Sequence, residues 1–137
     1  MPFIGLLYVS ESSLAPEDAA GEIERIMVVS VARNAALDVN GALLFTGTYF
    51  AQRLEGPVQA VNQLMKSIEA DTRHRNLRII DNAFIAERKF SRWSMAYNGP
   101  SQFIERHIER IYRSPEETPL PTEVDRLIRI MLEFQRD

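Results

Sequence analysis

Ala42-Leu43-Leu44-Phe45-Thr46, then Gly47-Thr48, then Tyr49-Phe50-Ala51-Gln52-Arg53-Leu54-Glu55 reads as two strands joined by a short link, a hairpin. Working outward, Asp38-Val39-Asn40-Gly41 ends a helix that Pro16, Glu17 and Asp18 open and that runs to about Ala36. Before it, residues 3–10 form an apolar strand. On the other side Gly56-Pro57 stops the hairpin and starts a second helix reaching about Ala70. Leu77–Phe84 is expected as a further strand and Arg92–Tyr97 as a last short one. The order β-α-β-β-α-β plus one strand is that of a ferredoxin-like α/β sandwich, an α+β fold with both helices on one face. Right-handed crossovers place its first and third strands side by side in the middle.

After Asn98-Gly99-Pro100 the composition shifts. Ser101 is placed to cap a helix over about 101–113, with Phe103, Ile104, His107, Ile108 and Ile111 on one face. A proline-rich link leads to a helix over about 122–135, striped by Val124, Leu127, Ile128, Met131 and Leu132. The chain therefore divides into residues 1–97 and a helical extension, 98–137. Two amphipathic helices must cover something, and the candidates are the back of the sheet or a second subunit.

At 137 residues, one core suffices. The absence of cysteine removes disulfides, thiolate metal sites and cysteine nucleophiles, and two histidines make a His-rich metal centre a poor expectation. A net charge of −3 argues against broad nucleic-acid or membrane binding. No apolar run approaches the roughly 20 residues of a membrane span, and the short apolar start lacks a basic leader, so a cytoplasmic location is expected.

The informative positions are polar ones where the pattern calls for apolar ones. Period two sends Phe50, Gln52 and Leu54 toward the helices, which buries the Gln52 amide in mid-strand. Tyr8 shares its face with Ile4, Leu6 and Ser10 and is the natural partner. On the first helix Ile26, Ser30 and Asn34 form one column, bordered by Ile23, Met27 and Val31. On the second, Val58, Val61, Leu64, Met65 and Ile68 form the buried stripe, and Asp71, Arg73 and His74 follow its end. These residues outline a slot with aliphatic walls at Ile26 and Ile68, a floor of Tyr8 and Gln52, and Asn34 at one edge. Such a slot suits a flat heteroaromatic ring with acceptors on its rim and a polar or anionic tail. Neither a carboxylate pair, a nucleophile with its base, nor a glycine-rich phosphate loop is present, so hydrolysis and phosphoryl transfer are not expected.

Leu7-Tyr8-Val9-Ser10, Arg33-Asn34, Asn40–Phe45, Phe50–Gly56, Asp71–His74 and Glu87–Met95 occur in an order and spacing that resemble the BLUF domain, a flavin-based blue-light sensor. The resemblance covers residues 1 to 97, and the tail carries no recognisable output domain, so a short stand-alone member is expected. It implies FAD, with FMN also admitted, and a protein that signals to a downstream partner or a second copy of itself rather than an enzyme. It further implies that Tyr8 is the redox-active phenol and Gln52 the switch. Asn34 would hold the ring's carbonyl side, with Ser30, Ile26 and Ile68 lining the cavity. Arg73 and His74 would meet the pyrimidine or ribityl side, supported by Asp71, and Trp93 and Met95 would relay the signal. Phe45 stands where the family often has tyrosine, and Ala51 where a larger apolar residue is common.

Two other readings use the same fold. A small acylphosphatase-like hydrolase needs an anion-cradling loop with an arginine after the first strand, but Ser10-Glu11-Ser12-Ser13-Leu14 offers neither glycine nor arginine. A ligand-free interaction or RNA-binding module would expose aromatics beside basic residues, which the acidic balance disfavours.

Overall fold

The computed structural model describes residues 2–135, so the outer bounds drawn at 1 and 137 lie outside it. Nine elements follow in chain order: β1 (Phe3–Ser12), α1 (Pro16–Ala36), β2 (Asn40–Phe45), β3 (Tyr49–Pro57), α2 (Val58–Ala70), β4 (His74–Ile85), β5 (Trp93–Asn98), α3 (Gln102–Tyr112) and α4 (Pro121–Gln135). They build one sheet in the order β4-β1-β3-β2-β5. All pairings are antiparallel except β2 with β5, which is parallel. The ferredoxin-like arrangement is present, with β1 and β3 central and β5 added beyond β2.

The strand alternation splits the interior into two cores. Ile4, Leu6, Tyr8, Leu43, Phe50, Leu54 and Trp93 face α1 and α2 on the front. Leu7, Val9, Ala42, Leu44, Tyr49, Ala51 and Ala96 face α3 and α4 on the back. Of the two candidates for what the C-terminal helices cover, the back of the sheet is the one occupied.

Local chemistry explains the helix ends. Pro16 opens α1 with Glu17 and Asp18 in its first turn. Asp38, at φ 60°, ends it: Asp38 N–H donates to Ala35 O at 3.2 Å and Val39 N–H to Asn34 O at 2.8 Å, a Schellman closure. Ser101 caps α3, its Oγ accepting from Ile104 N–H at 3.2 Å. Arg78 of β4 ties down the end of α3 and the link beyond it, donating to Tyr112 O at 3.0 Å, Ser114 O at 2.9 Å and Glu116 O at 2.6 Å.

Four expectations need correction. β4 begins at His74, not Leu77, because β1 continues to Ser12 and pairs with it there. β5 runs one residue later than expected, from Trp93 to Asn98. Val31 is 50% exposed, because the inward face of α1 runs through Ile23, Ile26, Met27, Ser30 and Asn34 and Val31 falls just outside it. Phe103 is 62% exposed, because Ile104, Ile108 and Ile111 take the inward face of α3. The Phe103 ring packs instead against half-buried His107, centroids 4.8 Å apart.

Candidate functional site

Tyr8 and Gln52 sit directly opposite each other on the two central strands. Gln52 Nε2 donates to the Tyr8 hydroxyl at 2.6 Å, and Trp93 Nε1 donates to Gln52 Oε1 at 2.8 Å. The indole N–H can only donate, so the atom it meets must be the amide oxygen, and that fixes the orientation of Gln52. All three side chains are buried. Burial pushes the Tyr8 phenol well above its ordinary value, outweighing the opposing bond from Gln52, so the hydroxyl keeps its proton.

Above this chain lies a cavity of about 320 Å³ between α1 and α2. That is near the lower end of small-molecule pockets, enough for a flat ring system with its tail outside. Tyr8 and Gln52 form its floor, Ile26 and Ser30 one wall and Ile68 the other, with Asp71, Arg73 and His74 at one end. Asp71 grips Arg73 through Nε at 3.0 Å and NH2 at 2.7 Å, and accepts its backbone N–H at 2.9 Å. These bonds hold the Asp71 carboxyl below the usual carboxylate range. Both His74 nitrogens are engaged, Nδ1 with Ser10 Oγ at 2.7 Å and Nε2 with Ile68 O at 2.5 Å. Since a carbonyl only accepts, Nε2 carries a hydrogen.

Asn34, expected at one edge of the slot, is instead fully buried behind it and is not part of the cavity wall, since Ser30 and Arg33 line that side. Its Oδ1 accepts from Arg33 Nε at 3.3 Å, while its Nδ2 has no partner among the described residues. Such an orphaned donor costs about 1–3 kcal/mol unless something accepts from it. Trp93 holds the inner position on Gln52, while Met95 is half-buried and stands in the same cross-sheet row, Tyr8-Gln52-Leu43-Met95.

Sequence reasoning missed Arg25, Val29 and Arg33, which also line the cavity. They were recoverable: they form an i, i+4, i+8 column immediately beside Ile26, Ser30 and Asn34. Arg33 makes no ion pair with a carboxylate among the described residues, and burial lowers its affinity for the proton.

Residues 3–96 match the family described as BLUF, sensors of blue-light using FAD, and the chain belongs to that family. The blue light- and temperature-regulated antirepressor BluF of Escherichia coli (strain K12) is 31% identical over 64% of this chain, a stretch that is 22% of its own length. A photoactivated adenylate cyclase subunit beta of Euglena longa is 35% identical over 54% of this chain and 9% of its own length. The chain thus spans at most about a fifth of these curated relatives. The dark-state structure of BlrB, a BLUF protein, superposes with a TM-score of 0.79 at 32% identity, covering 96% of each chain.

The residues present fit a flavin. The cavity has the volume for its ring, the orphaned Asn34 Nδ2 is a donor of the kind a ring carbonyl satisfies, and Gln52 stands at the floor with a reorientable amide. Among the described residues no cluster of acidic residues and histidines is arranged to hold a metal, and no helix is long and apolar enough to cross a membrane.

Proposed function

We propose that this chain is a cytoplasmic blue-light photoreceptor that binds FAD, or FMN, between α1 and α2 and signals by contact with a partner protein or a second copy rather than by catalysis. On this reading residues 1–97 carry the flavin and 98–137 carry the outlet. The observation that carries it is the buried chain Tyr8–Gln52–Trp93 beneath a ring-sized cavity.

When bound, the flavin supplies blue absorption and an excited state that accepts an electron and a proton from Tyr8. Burial keeps the Tyr8 phenol protonated, and its oxygen accepts from Gln52, which leaves its own hydrogen available to give. Gln52 is the switch because its two ends are inequivalent. Turning the amide over sets Nε2 against the Trp93 N–H, donor against donor, so the 2.8 Å bond is lost and Trp93 must move. On this reading Asn34 offers its unpartnered Nδ2 to the ring's carbonyl side, Ser30, Ile26 and Ile68 line the cavity, and Asp71 keeps Arg73 in place beside His74. Trp93 and Met95 pass the change into β5, where a coupling of about 1–3 kcal/mol is typical of such links.

Absorption spectra of the purified chain, taken before and after blue illumination, test this. A yellow protein whose bands move to longer wavelength on illumination is expected. Tyr8→Phe and Gln52→Leu should each keep the colour and lose the shift. A colourless protein that takes up no flavin on reconstitution, or a normal shift in either variant, refutes the assignment.

A further inference from the structure

Behind β5, the last turn of α4 places a third buried side-chain amide, that of Gln135. Ser94 follows Trp93 and faces the opposite side of the sheet. Its Oγ accepts from Gln135 Nε2 at 2.7 Å, and the same nitrogen donates to Gly41 O at 2.9 Å. Gly41 is the β2 residue paired with Trp93. The Gln135 main-chain carbonyl in turn accepts from Arg92 NH2 at 2.9 Å. Gln135 belongs to the last turn of α4 and is only 8% exposed. One side chain from the C-terminal helix thus spans β2 and β5 at the level of Trp93.

The strand it grips has a backbone partner on one side only. β5 has six residues, pairs only with β2, and its ladder slips between Leu43 and Leu44, leaving Ala96 without a partner in the register. A short, bulged edge strand moves at lower cost than a central one. Trp93 and Ser94 therefore hang from one short edge element, one bonded to Gln52 on the front and the other to Gln135 on the back.

We propose that Gln135 is a positioning residue of the photochemical switch: it latches β5 from behind, so that holding Trp93 on Gln52 and holding the end of α4 on the sheet are one equilibrium. This rests on the photoreceptor reading above and extends it to α4. Coupling is reciprocal, so releasing the latch from the back weakens the Trp93–Gln52 bond on the front. The latch re-forms on the way back to the arrangement with Trp93 bonded, so removing it raises that barrier and slows the return after illumination.

The chain's single tryptophan makes this measurable. Gln135→Leu and Ser94→Ala should each shift Trp93 emission in the dark and slow recovery after illumination, on the order of fivefold or more. Combined, they should do no more than Gln135→Leu alone, because the bond that Ser94→Ala breaks is one of the two that Gln135→Leu removes. Emission and recovery that match the parent in both variants, or effects that multiply in the double variant, overturn the latch. Ser94→Ala, the smaller change, keeps the test available if Gln135→Leu folds poorly. A chain that binds no flavin defeats the photoreceptor reading, while Trp93 emission in the flavin-free protein still decides on Gln135.

Discussion

Behind the sheet, α4 buries five of its fifteen residues, four of them aliphatic or methionine. In front of it, α1 buries three of twenty-one, and two of those are Ser30 and Asn34. The back helices close over Leu7, Val9, Leu44 and Ala51, and the polar groups there are satisfied within the chain, as with Gln135. The front helices leave a cavity, an orphaned amide nitrogen and half-buried Ile26 and Ile68. The difference separates a face that is finished by folding from one that a ligand has to finish. A core left open in this way forgoes packing and desolvates polar groups, and natural chains retain such defects where function needs them.

The sharpest test of that contrast is to empty each side in turn. Leu127→Ala, at a fully buried back-face position, should cost about 2–5 kcal/mol whether or not flavin is present. Ile26→Ala removes a side chain that already faces a void, so in the flavin-free protein its cost should be well under the ~2 kcal/mol at the low end of that range. Denaturant unfolding of both variants, with and without flavin, reads the difference. Equal losses in the flavin-free protein would mean that the two faces are packed alike.

A smaller effect should come from the ligand itself. Flavin held at 100 times its Kd stabilises a protein that binds it only when folded by about 2.7 kcal/mol. At that same flavin concentration the gain should shrink in Ile26→Ala, because the missing wall residue raises the Kd, whereas in Leu127→Ala it should be unchanged. Thermal melts across a flavin titration check this, and a gain that shrinks in Leu127→Ala would show that the back face shapes the pocket.

The front face was also the more legible in the sequence. Strand parity places Tyr8 and Gln52 on one side, and helical spacing places Ile26 and Ser30 over them, because both periods act within one element, whereas the inner place of Trp93 over Met95 is seen only in the structure. Arg25, Val29 and Arg33 escaped because their column stands beside the one read as inward, and helical spacing does not say how far round the helix a cavity opens. The Gln135 latch escaped for a different reason. It joins residues 41 positions apart for Ser94 and 94 apart for Gly41, and no local pattern announces a pairing across a sheet. Phe103 was misplaced because a stripe of five apolar or aromatic positions on a short helix is wider than the face it can bury.

The last contrast concerns acid. On the front, Asp71 is partly exposed and holds Arg73, and Arg73 keeps the Asp71 carboxyl below its ordinary value of 3.8. A carboxyl whose pKa is lower in the folded state lends stability above its unfolded value and loses it as the pH falls through the folded one. This contribution is therefore complete at pH 7 and 5, and it declines only once the pH drops below about 4. Asp71→Asn should remove that part of the acid dependence while leaving α3 and α4 in place. Hydrogen exchange between pH 5 and 3 should then show the Asp71–His74 segment loosening before the back helices do in the parent, and less so in the variant. If α3 and α4 loosen first, the acid-sensitive contact is not this pair, and the front face is not the weaker of the two.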